Sequence, residues 1–274
     1  MFKIIIMALL IFIGMVGYDS ITDKAQPTTP VQQEQQKISK HEKSAAMALF
    51  TSLLPPKEEW PSPVHKFYLA FNMDEVIDPI RQNPNWTSLD AMSRDIPQAL
   101  IAIEDHAFYN HGAIAVEGIL RAALANINAG EVVQGGSTLT QQFVKNVFLS
   151  HEQSMERKIE EAVLSLMLED NYSKDEILEL YLNTTYFGAG STGIKQASKT
   201  YFGKAPSALT LAEASVIASL PYAPTSLNPL ENPDGCKKRQ LLVLAAMHKY
   251  GMINQGQLAE AKAEKIRLTN GTVM

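Results

Sequence analysis

Three absences narrow the classes of protein to which this chain of 274 residues can belong. It has a single cysteine, Cys236, so no disulfide can form within the chain and the redox compartment stays open. It has no excess of positive charge, because 24 lysines and arginines stand against 29 aspartates and glutamates, and a nucleic-acid partner is therefore not expected. It also has no G-x-x-x-x-G-K-[ST] loop, so a nucleotide is not the expected ligand.

Long apolar runs are absent except at the N-terminus. After Lys3, residues 4–18 read IIIMALLIFIGMVGY, which is shorter than the roughly 20 residues of a typical transmembrane helix, and no A-x-A cleavage pattern follows. We expect a single-pass signal anchor over residues 1–18 rather than a cleaved signal peptide or a buried core helix. Lys3 would stay in the cytoplasm, so a polar linker over 19–42 and a domain over 43–274 are expected outside.

From residue 43 onward the apolar side chains recur at helical spacing, which predicts a mainly α protein. A hydrophobic content of 46% is enough for a sizeable core. The predicted helices cover 46–54, 100–107, 114–127, 139–149, 155–168, 177–182, 209–220 and 241–250. One short strand is predicted over 66–71.

A glycine pair at 135–136 precedes a pattern typical of a helix start. Thr138 and Gln141 have the spacing of a capping box, so a helix is expected to begin at Ser137 or Thr138. The free amides of such a start, with Lys145 further along, favour an anion such as phosphate. The alternative is an ordinary capped surface helix.

Two glutamates stand out by their surroundings. The helix around Glu161 is apolar on nearly all sides, which predicts a buried carboxylate with Arg157 and Lys158 as available partners; the alternative is a plain surface ion pair. Glu104 follows an apolar run, where a helix leaves the core, and such a position suits a general base. A metal site among the acids and histidines of 104–111 is conceivable, but it lacks the H-E-x-x-H spacing and cysteine ligands.

Taken in order, five motifs resemble those of the peptidoglycan glycosyltransferases, family 51, the transglycosylase module of penicillin-binding proteins. The motifs are E-D-x-x-F-x-x-H from Glu104 to His111, G-G-S-T-x-T-Q-Q-x-V-K-N from Gly135 to Asn146, R-K-x-x-E-A from Arg157 to Ala162, I-L-E-x-Y-L-N-x-x-x-F-G from Ile177 to Gly188, and L-x-x-A-E-A-x-x-x-A-x-L-P-x-A-P from Leu209 to Pro224. The resemblance covers residues 90–250.

The resemblance implies a lysozyme-like helical fold on the outer face of the bacterial cytoplasmic membrane. Such enzymes polymerise lipid II with inversion, using the growing glycan diphosphate as donor and releasing polyprenyl diphosphate. The implied catalytic residues are Glu104, the general base, and Glu161. The implied substrate-binding residues are Asp105, Ser137, Gln142, Lys145, Arg157 and Lys158. A divalent metal such as Mg²⁺ at the diphosphate, cell-wall synthesis proteins as partners, and a membrane-dipping segment over 114–124 are further expectations; the alternative for that segment is a buried helix.

The chain departs from the family pattern at two places. It reads HGAIA over 111–115 where H-x-G-x-D is usual, and Gln153 replaces an arginine that would contribute to diphosphate binding. No S-x-x-K pattern occurs, so a monofunctional glycosyltransferase without a transpeptidase site is expected. The alternatives are a lysozyme-like cell-wall hydrolase and a non-catalytic cell-wall scaffold.

Overall fold

The computed structural model describes residues 68–69, 71–119, 127, 135–149 and 154–274, without the side chains of 155 and 156. The expected anchor over 1–18, the linker over 19–42, the predicted helix over 46–54 and Gln153 lie outside the described residues. Within the described ranges, no helix combines the length and the apolar composition that crossing a membrane requires.

The described residues form a mainly α structure, which confirms the fold class predicted from the apolar spacing. Its α-helices are α1 (Asp74–Arg81), α2 (Asp95–Glu104), α3 (Leu139–Phe148), α4 (Met155–Asn171), α5 (Lys174–Thr184), α6 (Ile194–Phe202), α7 (Leu211–Ser219), α8 (Pro233–Lys249) and α9 (Gln255–Ala263). Short 3₁₀ turns cover Leu89–Ala91, Phe108–Asn110 and Pro206–Ala208. Extended pairing in these ranges is limited to two isolated antiparallel bridges, Tyr186 with Thr192 and Arg267 with Val273.

Capping boxes set the start of several helices. At α3 the Thr138 hydroxyl accepts a hydrogen bond from the Gln141 amide N–H, and the Gln141 side chain accepts one from the Thr138 N–H. Both partners satisfy amides that have no acceptor within the helix. The helix start predicted from this spacing is thus confirmed, and the same reciprocal arrangement begins α5, α7 and α9.

Two groups of packed helices share one hydrophobic core. Helix α7 packs against both α2 and α8, and all its residues from 212 to 219 are buried. Helix α3 packs against α4 and α5. Side chains such as Leu100 of α2, Phe143 of α3 and Leu180 of α5 are at most 1% exposed, and burying each contributes about 2 kcal/mol. The core therefore fixes the ends of α2, α3 and α4 relative to one another.

The structure corrects several predicted elements. The strand over 66–71 is wrong, because its described residues 68, 69 and 71 are helical. The helix predicted over 100–107 begins earlier, at Asp95, and ends at Glu104, where the next residue leaves the helical conformation. The helix predicted over 241–250 begins at Pro233. In the helix predicted over 114–127, the described residues 116–119 and 127 are helical, whereas 114 and 115 are not. Helices α1, α6 and α9 were not predicted.

Candidate active site

Glu104 lies at a point where three helices meet. It is the last residue of α2, and its Oε2 accepts a hydrogen bond of 2.9 Å from Nε2 of Gln142 on α3. The Oε1 of Gln142 accepts a hydrogen bond of 3.0 Å from the hydroxyl of Tyr181 on α5. Among the described residues, none donates to the second oxygen of Glu104, and the side chain is only partly buried. One carboxylate oxygen is therefore held, while the other accepts no hydrogen bond from the described residues and can take a proton.

Tyr181 is the buried end of this chain of hydrogen bonds. It is 1% exposed. Burial, and next the negative charge of Glu104, raise the pKa of its phenol, so Tyr181 stays neutral and keeps its hydroxyl proton at physiological pH. Its role as a donor to Gln142 is thereby secured.

Asp105 is engaged on both of its oxygens. Its Oδ2 accepts a 3.0 Å hydrogen bond from the amide of Leu139, the first residue of α3, and its Oδ1 lies 2.6 Å from Nε2 of His111. Asp105 thus ties the end of α2 to the start of α3. The expected contact of Asp105 with substrate stays a prediction, and the contacts seen here give it a positioning role.

His111 completes this junction. Its Nδ1 lies 2.6 Å from the carbonyl oxygen of Gly112, and its Nε2 contacts Asp105. Burial alone would lower the pKa of His111, but the hydrogen bonds to Asp105 and Gly112 outweigh this effect, so its pKa is raised. The segment 111–115, which departs from the family pattern, is also anchored to the start of α3, because the Thr138 hydroxyl donates a 2.8 Å hydrogen bond to the carbonyl of Ala113.

The buried carboxylate predicted on α4 is confirmed. Glu161 is 1% exposed and forms an ion pair with Lys158, one turn earlier on the same helix. The Nζ of Lys158 also donates a 3.1 Å hydrogen bond to the hydroxyl of Ser137, just before α3. The lysine side chain is about half exposed. Three of the predicted site residues therefore come together at the junction of α3 and α4.

Arg157 and Lys145 supply two further cations. Arg157 does not pair with Glu161; its Nε is buried and has no hydrogen-bond partner in the described part of the chain. Ser154 caps α4 by accepting a 3.1 Å hydrogen bond from the Arg157 amide. Lys145 is exposed on α3, three residues after Gln142, and no described residue forms an ion pair with it. Within the described ranges, neither cation has a counter-ion.

The start of α3 differs from the expected anion site. The amide of Leu139 donates to Asp105, and that of Gln141 donates to the Thr138 hydroxyl. Oxygens of the protein itself therefore occupy two of the first-turn amides, and the expected anion at this helix start stays a prediction that these two amides do not support. Positive charge near this end of the helix comes instead from the side chain of Lys158.

The two halves of the candidate site share α3. Glu104 bonds to Gln142 within this helix, and Lys158 bonds to Ser137 immediately before it. The two anchor points, Ser137 and Gln142, are five positions apart in the chain, which corresponds to a distance on the order of 10 Å along it. That spacing is suited to a sugar diphosphate.

Tyr181 was not singled out from the sequence as a site residue. The motif from Ile177 to Gly188 contains Tyr181, but it does not show which residue the side chain contacts. The contact with Gln142 joins residues 39 apart in the chain and has no local signature. A metal centre was considered for 104–111. No group of three or more His, Cys, Asp or Glu side chains is arranged to hold a metal ion in the ranges that the structure covers.

A helical protein with a partly free carboxylate at a helix end and a buried carboxylate among cations has the groups needed for sugar transfer from an anionic donor. The family described as Transglycosylase matches residues 73–248. The chain is 40% identical over 194 residues to a putative transglycosylase of Cupriavidus necator, covering 71% of this chain and 84% of that protein. It is 39% identical to penicillin-binding protein 1F of Bacillus subtilis and 43% identical to penicillin-binding protein 1A of Aquifex aeolicus, covering 72% and 64% of this chain but only 28% and 24% of those proteins.

The chain therefore belongs to the transglycosylase family, the peptidoglycan glycosyltransferases whose motifs it carries. The predicted enzyme class is confirmed. The chain spans about a quarter of the length of the penicillin-binding proteins that it matches.

Proposed function

We propose that this protein polymerises lipid II into glycan strands, with Glu104 as the general base. The observation that supports this role is the asymmetry of the Glu104 carboxylate, of which one oxygen is held by Gln142 while the other has no donor among the described residues. A base must be oriented and yet free to accept a proton from the attacking hydroxyl. The 4-hydroxyl of an incoming lipid II is that acceptor, and attack from the face opposite the diphosphate inverts the anomeric centre.

The donor side is the cationic group around α4. A diphosphate leaves with its charge already delocalised, so the protein has chiefly to neutralise the charge that develops on it. Lys158, Arg157 and Lys145 supply this positive charge, and Ser137 orients Lys158. Glu161 holds Lys158 from the buried side, so that the ammonium group points consistently toward the start of α3.

The same contacts favour transfer over hydrolysis. A glycosidase needs a protonated acid at the leaving oxygen and a second carboxylate available to a water or to the sugar. Glu161 is 1% exposed and paired with Lys158, so it is poorly placed for that second role. Incubation with purified cell-wall sacculi tests the hydrolase alternative, for which soluble muropeptides would be the diagnostic product.

The proposed location is the outer face of the bacterial cytoplasmic membrane. Val116 and Ile119 are 63% and 44% exposed on consecutive turns after the site, which supports an apolar surface that meets lipid. A divalent cation such as Mg²⁺ would bind mainly through the diphosphate oxygens, because Glu161 is 1% exposed and paired with Lys158 and so does not fit as its ligand. No step of the proposed reaction depends on that ion.

A lipid II polymerisation assay on the full chain tests the role of Glu104. The change Glu104→Gln keeps the shape and the contact with Gln142 but removes the base, so we expect the rate to fall by about 10²-fold or more. Glu260→Gln, at an exposed position of α9, is the matched control and should keep the parental rate. Thermal unfolding of both variants should match the parent. Parental turnover by a folded Glu104→Gln variant would refute the assignment.

A further inference from the structure

Hydrogen bonds connect Glu104 through Gln142 to Tyr181 in the core. The reaction proposed above assigns no role to Tyr181. Gln142 contributes both ends of its amide, Nε2 to Glu104 at 2.9 Å and Oε1 to the Tyr181 hydroxyl at 3.0 Å. The glutamine therefore contacts a carboxylate on one side and a buried phenol on the other. Its position between them differs from the substrate contact implied for Gln142 by the family resemblance.

We propose that Tyr181 is a positioning residue for sugar transfer, because its hydroxyl fixes the orientation of the Gln142 amide and thereby that of the Glu104 carboxylate. The inference rests on the proposed role of Glu104 as the general base. Tyr181 itself does not touch substrate, since it is 1% exposed and lies behind Gln142.

The Gln142 amide needs a second contact because its two orientations have almost the same shape. A side-chain amide has nearly the same shape after a half turn, but the turn exchanges its donor and its acceptor. A carboxylate only accepts hydrogen bonds, so it requires the NH₂ end of Gln142. The buried phenol of Tyr181 donates its proton to the oxygen of Gln142, at 3.0 Å. The two contacts therefore favour the same orientation of the amide.

Removal of the phenol oxygen would leave the half-buried Gln142 oxygen beside an apolar ring, without the donor that holds it. The amide would then leave this orientation for part of the time, and Glu104 would lose its fixed rotamer. A base that samples several rotamers slows proton removal in the transition state more than it weakens substrate binding. The expected signature is thus a lower kcat with little change in KM.

The variant Tyr181→Phe tests this expectation in the full-length protein, with lipid II polymerisation as the assay. We expect kcat to fall by about tenfold, the size of effect given by loss of one buried hydrogen bond, while KM stays within about twofold. Tyr201→Phe is the matched control. Tyr201 is also fully buried and its hydroxyl donates a 2.8 Å hydrogen bond to the carbonyl of Phe187, away from Glu104. It should lose comparable thermal stability and keep the parental kcat.

A double-mutant cycle separates positioning from a merely structural role. The change Gln142→Met removes the amide whose orientation is at issue, so adding Tyr181→Phe to the Gln142→Met background should lower kcat no further, within about twofold. Equal losses of kcat from Tyr181→Phe in both backgrounds would overturn the proposal, as would a parental kcat for the single variant. If Glu104→Gln itself retains activity, the assignment of the base fails instead, and the two failures are distinguished by that one variant.

Discussion

The ion pair between Lys158 and Glu161 yields a prediction in which two changes to the same contact act in opposite directions. Glu161 is 1% exposed, whereas the Lys158 side chain is about half exposed, so the cost of desolvation falls mainly on the carboxylate. Lys158→Met leaves that carboxylate buried without its cation, and we expect the free energy of unfolding to fall by about 3 kcal/mol. Glu161→Gln removes the buried charge while Lys158 turns to water, and we expect stability to be unchanged or raised by about 1 kcal/mol.

Scanning calorimetry of the full chain in detergent measures the difference. A loss of about 3 kcal/mol corresponds to a fall in Tm of roughly 6–12 °C for a domain of this size. Lys204 with Glu213 is the matched pair outside the site, with side-chain exposures of 41% and 4%. Because the second oxygen of Glu213 also accepts a 3.1 Å hydrogen bond from the Thr210 amide, Lys204→Met leaves a partner in place and should cost only about 1 kcal/mol.

Activity is the second measurement on the same proteins. Both Lys158→Met and Glu161→Gln should lose most lipid II polymerisation, although only Lys158→Met is destabilised, and Lys204→Met should keep its activity. Stability and function would then separate at Glu161, as expected where a buried charge serves the reaction rather than the fold. The reasoning is refuted if the Tm of Glu161→Gln is as low as that of Lys158→Met, or if the Tm of Lys158→Met equals that of the parent.

Three further predictions concern the scaffold. Gly188 has φ +86°, and a Cβ there would lie 2.3 Å from a backbone oxygen, so Gly188→Ala should lower the free energy of unfolding by about 3 kcal/mol or prevent folding. Gly190 has φ +70° but open space around it, so Gly190→Ala should lower that free energy by only about 1 kcal/mol, as measured by chemical denaturation. The contact with Asp105 raises the pKa of His111, so its stabilisation of the fold is complete below the ordinary pKa of 6.5 and disappears as the pH rises through the raised pKa. The difference in Tm between the parent and His111→Gln should therefore become smaller in alkaline buffer. Burial raises the pKa of Cys236 to about 11, and a thiol reagent at neutral pH should modify it only after unfolding.

Local features of the sequence were sufficient to predict much of the helical structure and half of the site. The capping pair at Thr138 and Gln141 set the start of α3, and the apolar surroundings of Glu161 predicted its burial, because both signals lie within two helical turns. Helix α6 carried a comparable signal that was overlooked. Its positions Ile194, Ala197 and Tyr201 follow helical spacing and all are fully buried.

The rest of the site depends on contacts between distant parts of the chain. The hydrogen bond from Gln142 to Glu104 joins residues 38 apart, and the one from the Leu139 amide to Asp105 joins residues 34 apart. Neither has a periodic or capping signature, since each depends on where the end of α2 lies relative to α3. The partner of the first amide of α3 could not be predicted for the same reason, because nothing local showed that Asp105 would reach it.

Helix α3 explains why a base and a cationic group can act on one substrate. Its start is held by the carboxylate of Asp105 and by the bond from Thr138 to Ala113, and its inner face packs on α4 and α5. Glu104 bonds to Gln142 within α3, and Lys158 bonds to Ser137, which directly precedes the N-cap residue Thr138, so their separation is set largely by a rigid, capped helix. A displacement of about 1 Å between catalytic groups is enough to lower a rate severely. The internal use of Asp105 at the first amide is therefore consistent with catalysis, because it keeps the distance between the base and the diphosphate site constant.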